Sequence, residues 1–358
     1  MTQQREIQQR EIQQSGDRHR REHLLSLAGP IALAVVVALV ASFFSRDIEL
    51  QFRLALVVSA MVVAIHTFTG LSGVISFGHI SFVAIGAFTA GLMSLGSQQK
   101  QAVFPELFGF IADNEVGNIT SLALATVLAA LFALIVGAPL MRLNGLSAGI
   151  ATFAILGITR NVLRNWTKIG PGAKTIPGVP ETTDLLQATV GLVLVIIAAW
   201  AYQQSRFGRR LRATREDPAA SQSVGISTYR ERLLAFTLSG AIGGFAGGLY
   251  VHHLGSITTE QVYLDLTFLT LAMLVVGGMG SLWGAVLGGL VVSGLSSFLA
   301  EAEKGVTLLG LDLTFPQASR NIILGALMAL VLLLRPRGLT GGREFTLGAR
   351  TKATRPLR

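Results

Sequence analysis

The sequence predicts an all-α, polytopic integral membrane protein with about ten transmembrane helices, some of them broken at glycine, and with both termini in the cytoplasm. Three observations predict it. Hydrophobic residues make up 51% of the 358 and charged residues only 14%, against about a quarter charged in a soluble domain. The apolar residues collect into ten runs that approach the ~20 residues a helix needs to cross a bilayer. The basic excess, net +9, gathers at the two ends and in one internal loop, as in cytoplasmic segments of membrane proteins. In a soluble chain that charge and a pI near 10.6 would suggest nucleic acid; here topology accounts for them, and no nucleic-acid partner is expected. With no cysteine, disulfides and thiolate metal sites are excluded.

The elements follow in order. Residues 1–23 form a polar cytoplasmic tail in which "QQREIQQREIQQ" repeats a five-residue unit. The membrane domain is expected over 24–335. Its apolar runs are 24–44, 52–69, 71–95, 121–141, 146–163, 186–202, 233–251, 264–276, 282–299 and 321–334, the third and eighth being the least regular. A basic cytoplasmic tail, 336–358, closes the chain. An even number of spans puts both ends on one side. The leader (Arg5, Arg10, Arg18, Arg20, Arg21) and the end of the chain (Arg335, Arg337, Arg343, Arg350, Lys352, Arg355, Arg358) make that side the cytoplasm. The same parity makes the loop 206–232 cytoplasmic and 96–118 external.

Forty glycines punctuate these runs. Gly240, Gly244 and Gly248, and likewise Gly280, Gly284 and Gly288, are spaced four apart, which predicts stripes for close helix packing. "GLSGVISFGHISFVAIGAFTAGL" (70–92) is different. Its Gly70, Gly73, Gly78 and Gly86 alternate with Ser72, Ser76, His79 and Ser81, a poor lipid-facing helix. A break at membrane depth is tolerated only where protein buries it or it lines a wet cavity. "VVGGMGSLWGAVLGGL" (275–290) is a second interrupted segment, and such a pair points to a solute pathway. His79 has two readings: a neutral imidazole bonded to a carbonyl freed by the break, or a group lining the pathway. His66 reads as structural. His252 and His253 stand at the outer end of a span with the wrong spacing for a helical metal pair, and no metal site is expected.

Catalytic signatures are absent. "KIGPGAKT" (168–175) has Lys168 and Ala173 where a phosphate-binding loop requires glycine, and neither H-E-x-x-H nor G-x-S-x-G occurs. The spans are poor in acids, Asp265 lying at an outer edge, so a proton relay is not indicated. The chain is therefore expected to be no enzyme and to bind no cofactor, with energy for uphill transport coming from another chain.

The loop 206–232 carries that connection. Arg206, Arg209 and Arg210 anchor it to the cytoplasmic side. Beyond them Glu216 and Asp217 favour a helix N-terminus, Pro218 suits a first turn and Gly225 a stop, which predicts a short membrane-proximal docking helix.

"FGRRLRATREDPAASQSVGISTYRERLLAFTLSGAIGGFAGGLY", together with the Gly-rich stretch 70–92, "RLNGLSAGIATFAILGITRNVLRNW", "VVGGMGSLWGAVLGG" and "LLLRPRGLTG", resembles the permease subunits of bacterial ABC importers for branched-chain amino acids. This is the LivM/LivH family, and the chain is closer to the LivM type. The motifs run in order over about 52–342. The resemblance implies a subunit of the bacterial inner membrane that pairs with a second permease, two cytoplasmic ABC ATPases and an extracytoplasmic solute-binding protein, ATP being used by the ATPases. It implies coupling through Arg212, Arg215, Glu216, Asp217, Ala219, Ala220, Gly225 and Ile226, and a pathway near Gly73, Ser76, Gly78 and His79. Two departures, Asn144-Gly145-Leu146-Ser147 and "GPGAKTIPGVP", touch the solute: urea and short-amide permeases share the architecture. A carrier driven by an ion gradient is the reading from another class.

Overall fold

The computed structural model describes residues 25–344 apart from 171, 173, 305, 309, 310, 314, 315, 317, 318, 336 and 343. The tail 1–23 and the stretch 345–358, both expected in the cytoplasm, lie outside the described residues.

Every one of the ten apolar runs contains a helix. In chain order the helices are α1 (Leu25–Ala41), α2 (Arg46–Ile65), α3 (His79–Ser94), α4 (Ser97–Val103), α5 (Gly109–Ala112), α6 (Asn118–Leu140) and α7 (Gly145–Asn165). Then come α8 (Leu185–Gln204), α9 (Arg206–Glu216), α10 (Pro218–Ser223), α11 (Thr228–Leu254), α12 (Leu264–Gly277), α13 (Leu282–Lys304) and α14 (Ser319–Leu334). Six are long and apolar enough to cross a membrane, or seven if α3 and α4, bent by 113° at their junction, make one span. The chain is thus a multi-pass membrane protein. The expected ten spans include three shorter helices. At 1.5 Å per residue the 14 residues of α12 reach only about 21 Å, short of a ~30 Å hydrocarbon core. The all-helical expectation is departed from once, by an antiparallel hairpin of β1 (Val306–Leu308) and β2 (Leu311–Leu313), with Thr307 opposite Asp312.

The bundle is organised around α11 and α2. α11 packs on α6, α3 and α2, and α2 also touches α8, α12 and α13. The first glycine stripe does what its spacing predicts. A Cβ on Gly240 or Gly244 would fall on the Cβ of Ala133 or Ala129 of α6, and one on Gly248 would come within 2.6 Å of Leu122. Glycine against alanine brings two backbones into contact where lipid offers no hydrophobic drive for association. The second stripe is shorter than expected. Gly284 and Gly288 press on the backbone of α12 at Gly277 and Met273, whereas Gly280 lies before α13 begins. Ser239 adds a polar tie, donating to the carbonyl of Ala64 on α2 at 2.7 Å.

Replacing Gly244 by Val should collapse the thermal stability of the detergent-solubilised chain, since its Cβ would strike Ala129 and the Ala125 backbone; overpacking of this kind costs roughly 1–3 kcal/mol or more. Gly157→Ala on α7, where a Cβ meets nothing within 4 Å, should be neutral or stabilising by up to ~1 kcal/mol. Melting curves of the two variants check both.

Candidate functional site

The first break begins where α2 widens into a π-turn, His66–Gly70, of the kind frequent at functional sites. Gly73, at φ +72°, turns the chain into a non-helical stretch that ends at His79. The turn requires glycine: a side chain rarely adopts that φ. α7 clamps the far end of the stretch. Thr152 Oγ1 accepts from the Phe77 amide at 3.2 Å, and a Cβ on Gly78 would come within 2.5 Å of the Thr152 carbonyl.

Of the four residues expected near a pathway, only Gly73 is exposed; Ser76, Gly78 and His79 are buried. His79 Nδ1 lies 2.8 Å from Ser76 Oγ, and its ring is enclosed by Phe68, Phe82 and Phe236 at centroid distances of 5.6, 5.6 and 5.5 Å. Its Nε2 has no hydrogen-bond partner among the described residues. Ser76 is turned inward, bonded to His79, while its neighbours Ile75 and Phe77 line a cavity.

That cavity is a groove of about 530 Å³ between the break, α12 and α14. α12 lines it with Asp265, Phe268, Leu269, Ala272 and Val275, a helical i, i+3, i+4 stripe running its whole length. Leu324 and Met328 of α14 supply the opposite wall, and Thr69 and Asp265 are its polar lining residues.

The second break separates α12 from α13, with Gly278 at φ +116°. It touches the first: His66 Nδ1 lies 3.0 Å from the Met279 carbonyl. The turn at 337–342 seals it from outside the bundle. Leu339 N donates to Val276 O at 2.8 Å, Thr340 N to Gly277 O at 3.2 Å, and Thr340 Oγ1 to the same oxygen at 2.9 Å. The first residues of the expected basic tail are therefore part of the packed structure.

The loop 206–232 forms two helices, where the sequence suggested one. α9 buries Gly208, Leu211 and Thr214 on one face. α10 is fully capped: Asp217 Oδ1 accepts from Ala219 N and Ala220 N, each at 2.9 Å, and Pro218 occupies the first turn. Gly225, at φ +81°, ends it, with Ile226 N on Ser221 O and Gly225 N on Gln222 O, both at 3.0 Å. This double bond is the Schellman stop. Glu216, Asp217, Ala219, Ala220 and Gly225 are exposed, as is Val224 at 74%.

Arg215 joins this surface to the first break. Its Nη1 donates to the Gly70 carbonyl at 2.8 Å, and its methylenes lie 3.1 Å from where a Gly73 Cβ would be. Arg212 turns the other way, donating to Gln203 O at 2.8 Å. Burial holds its pKa below the ordinary arginine value, and the nearby Glu344 carboxylate opposes that shift. Sequence reasoning missed Gln203, Glu344, Arg232 and the role of Asn144. Arg232 Nη1 donates to Asn144 Oδ1 at 2.7 Å, pinning the α6–α7 turn. Asn144 directly before the α7 run carried a cap signal; Glu344 carried none, since its partners lie 61 to 141 residues away.

His252 bridges Ser121 Oγ and the Pro180 carbonyl, each at 2.9 Å, a structural role. Among the described residues no group of three or more His, Asp and Glu could hold a metal ion. The stretch 168–175 falls partly outside the described residues.

A multi-pass bundle with two linked breaks and an exposed capped helix is the architecture of a transport subunit. The profile of the branched-chain amino acid transport system permease component matches residues 52–332, and the chain belongs to that family. It is 27% identical over 349 residues to the high-affinity branched-chain amino acid transport system permease protein LivM of Escherichia coli (strain K12), covering 88% of this chain and 74% of that protein. The Salmonella typhimurium LivM matches to the same extent. An autoinducer 2 import system permease protein, LsrC of Enterobacter sp. (strain 638), is 32% identical over 181 residues, 44% of this chain and 51% of its own. No solved structure matches. The chain is accordingly a transport subunit and not an enzyme, ATP hydrolysis belonging to separate ATPase subunits.

Asp217→Ala should unravel α10 while leaving α11 intact, because an N-cap is worth about 1 kcal/mol. Hydrogen exchange at the Ala219–Ser223 amides should rise several-fold, and Asp217→Asn should restore protection.

Proposed function

We propose that this chain is the permease subunit of an ATP-driven ABC importer, carrying branched-chain or related amino acids from an extracytoplasmic binding protein along the groove beside α12. A second permease subunit closes the open side of that groove, and two cytoplasmic ABC ATPases dock on α9–α10. The chain binds no cofactor itself and resides in the bacterial inner membrane.

The observation that carries this reading is Arg215, which reaches from the exposed docking surface to the carbonyl of the broken helix. Arg212, Arg215, Glu216, Asp217, Ala219, Ala220, Gly225 and Ile226 divide the work. Arg212 and Arg215 face the bundle; the acidic and small residues present a rigid surface, and Gly225 and Ile226 terminate it. Gly73, Ser76, Gly78 and His79 act on the pathway by fixing the break: Ser76 and His79 hold its inner side, which turns Ile75 and Phe77 toward the solute.

Ten crossings with both termini in the cytoplasm are supported by where the helix ends meet. The ends of α2, α8, α12 and α14 gather near α9, through Arg215 on Gly70, Gln203 on Glu344 and Leu339 on Val276. The basic residues of α9 and Arg335 and Arg337 stand at that same end. The proposed division is a tail over 1–23, the permease domain over 24–335 with its coupling loop 206–232, and a segment 336–358 whose turn at 337–342 and Glu344 pack against that domain. The groove wall favours aliphatic solutes over urea, because Thr69 and Asp265 are its polar members.

Uptake of leucine into proteoliposomes should be nil with this chain alone and should require both ATPases and ATP; gradient-driven uptake by the chain alone would remove the ABC assignment. Glu216→Arg should reach the membrane in normal amount yet lose transport by about tenfold or more, the scale of one charge-assisted contact. Wild-type transport with retained ATPase binding would sink the docking role.

A further inference from the structure

The two breaks are not reached from α9 in the same way. Arg215 touches the first directly, at Gly70 O. The route to the second runs through Gln203, at the end of α8, and then through Glu344. Arg212 Nη2 donates to Gln203 O at 2.8 Å, and Gln203 Nε2 donates to Glu344 Oε1 at 2.9 Å.

Glu344 in turn sits on the N-terminus of α13. Its Oε1 also accepts from Leu282 N at 2.9 Å, and its Oε2 from Trp283 N at 3.3 Å and Ser281 Oγ at 3.4 Å. An ionised carboxylate has about four acceptor positions, so these donors use its capacity. A negative charge against the free amides and positive dipole end of α13 is the stabilising polarity, and bonds to an ionised acceptor are roughly twice as strong as neutral ones. The turn at 337–342, just before it in the chain, is bonded to Val276 and Gly277 at the end of α12. The Glu344 side chain thereby holds the start of α13 to the end of α8, beside a turn that holds the end of α12.

We propose that Glu344 is a positioning residue of the transport cycle: it ties the second break to α8 and α9, so that a displacement of α9–α10 moves both breaks together. The inference rests on the reading of α9–α10 as the ATPase contact.

The test uses the complete importer in proteoliposomes, measuring co-purified ATPase, ATP hydrolysis and leucine uptake for Glu344→Ala, Glu344→Gln and Gln203→Leu. Gln203→Leu leaves the carboxylate on α13 and cuts only its link to α8, which separates linkage from helix capping. Uptake per ATP hydrolysed should fall about tenfold in Glu344→Ala, the equivalent of one charge-assisted hydrogen bond, with ATPase co-purification unchanged. Gln203→Leu should fall similarly, and Glu344→Gln, which keeps one acceptor oxygen, should lie between. Wild-type uptake per ATP in Glu344→Ala or in Gln203→Leu would overturn the proposal. So would a parallel loss of abundance, hydrolysis and uptake in all three, which is the mark of a purely structural residue. Failure of the unsubstituted chain to co-purify ATPase would overturn the docking reading, and this inference with it.

Discussion

Everything at the functional end of this molecule depends on what becomes of backbone carbonyls released where α2 and α12 stop inside the bundle. A carbonyl without a partner at membrane depth costs several kcal/mol, so each break requires a donor from elsewhere. Gly70 O takes its hydrogen from Arg215, Gly277 O from Thr340 and Val276 O from Leu339. Met279 O lies against His66. Most of these partners come from α9 and from the turn at 337–342, not from neighbouring spans. The breaks are therefore held largely by residues outside the long apolar helices.

The rest of the bundle supplies a frame around them. α11 meets α6 and α3 at glycines that let the backbones approach closely, and α2 is buried from Ala55 to its π-turn. On the other side, the groove beside α12 is open, and its helices are the short ones. One half of the molecule is closely packed, and the other carries an open groove.

The position of His79 shows how burial and polarity combine inside this bundle. An ionisable residue in an apolar run invites a pathway role. Here the imidazole is enclosed by Phe68, Phe82 and Phe236 and paired with Ser76, while apolar Ile75 and Phe77 face the groove. The non-helical stretch that follows Gly73 places Ser76 inward and Ile75 and Phe77 on the groove. The groove wall itself is mostly apolar.

The amino-acid order by itself determined the ten apolar helices, the two breaks, the stripe of Gly240, Gly244 and Gly248, and the capped helix between Asp217 and Gly225. Each of these follows from local chemistry: hydropathy, glycine's conformational freedom, helix-cap residues and the placement of arginine. What only the tertiary structure decided is which distant groups satisfy one another. Arg215 on Gly70, Gln203 on Glu344 and Arg232 on Asn144 join residues 88 to 145 positions apart. No periodicity records such pairs, because a freed carbonyl accepts from any donor the fold brings within reach. The lengths of α1, α12 and α14 belong there too, since a helix flanked by other protein can stop short of the bilayer's full thickness.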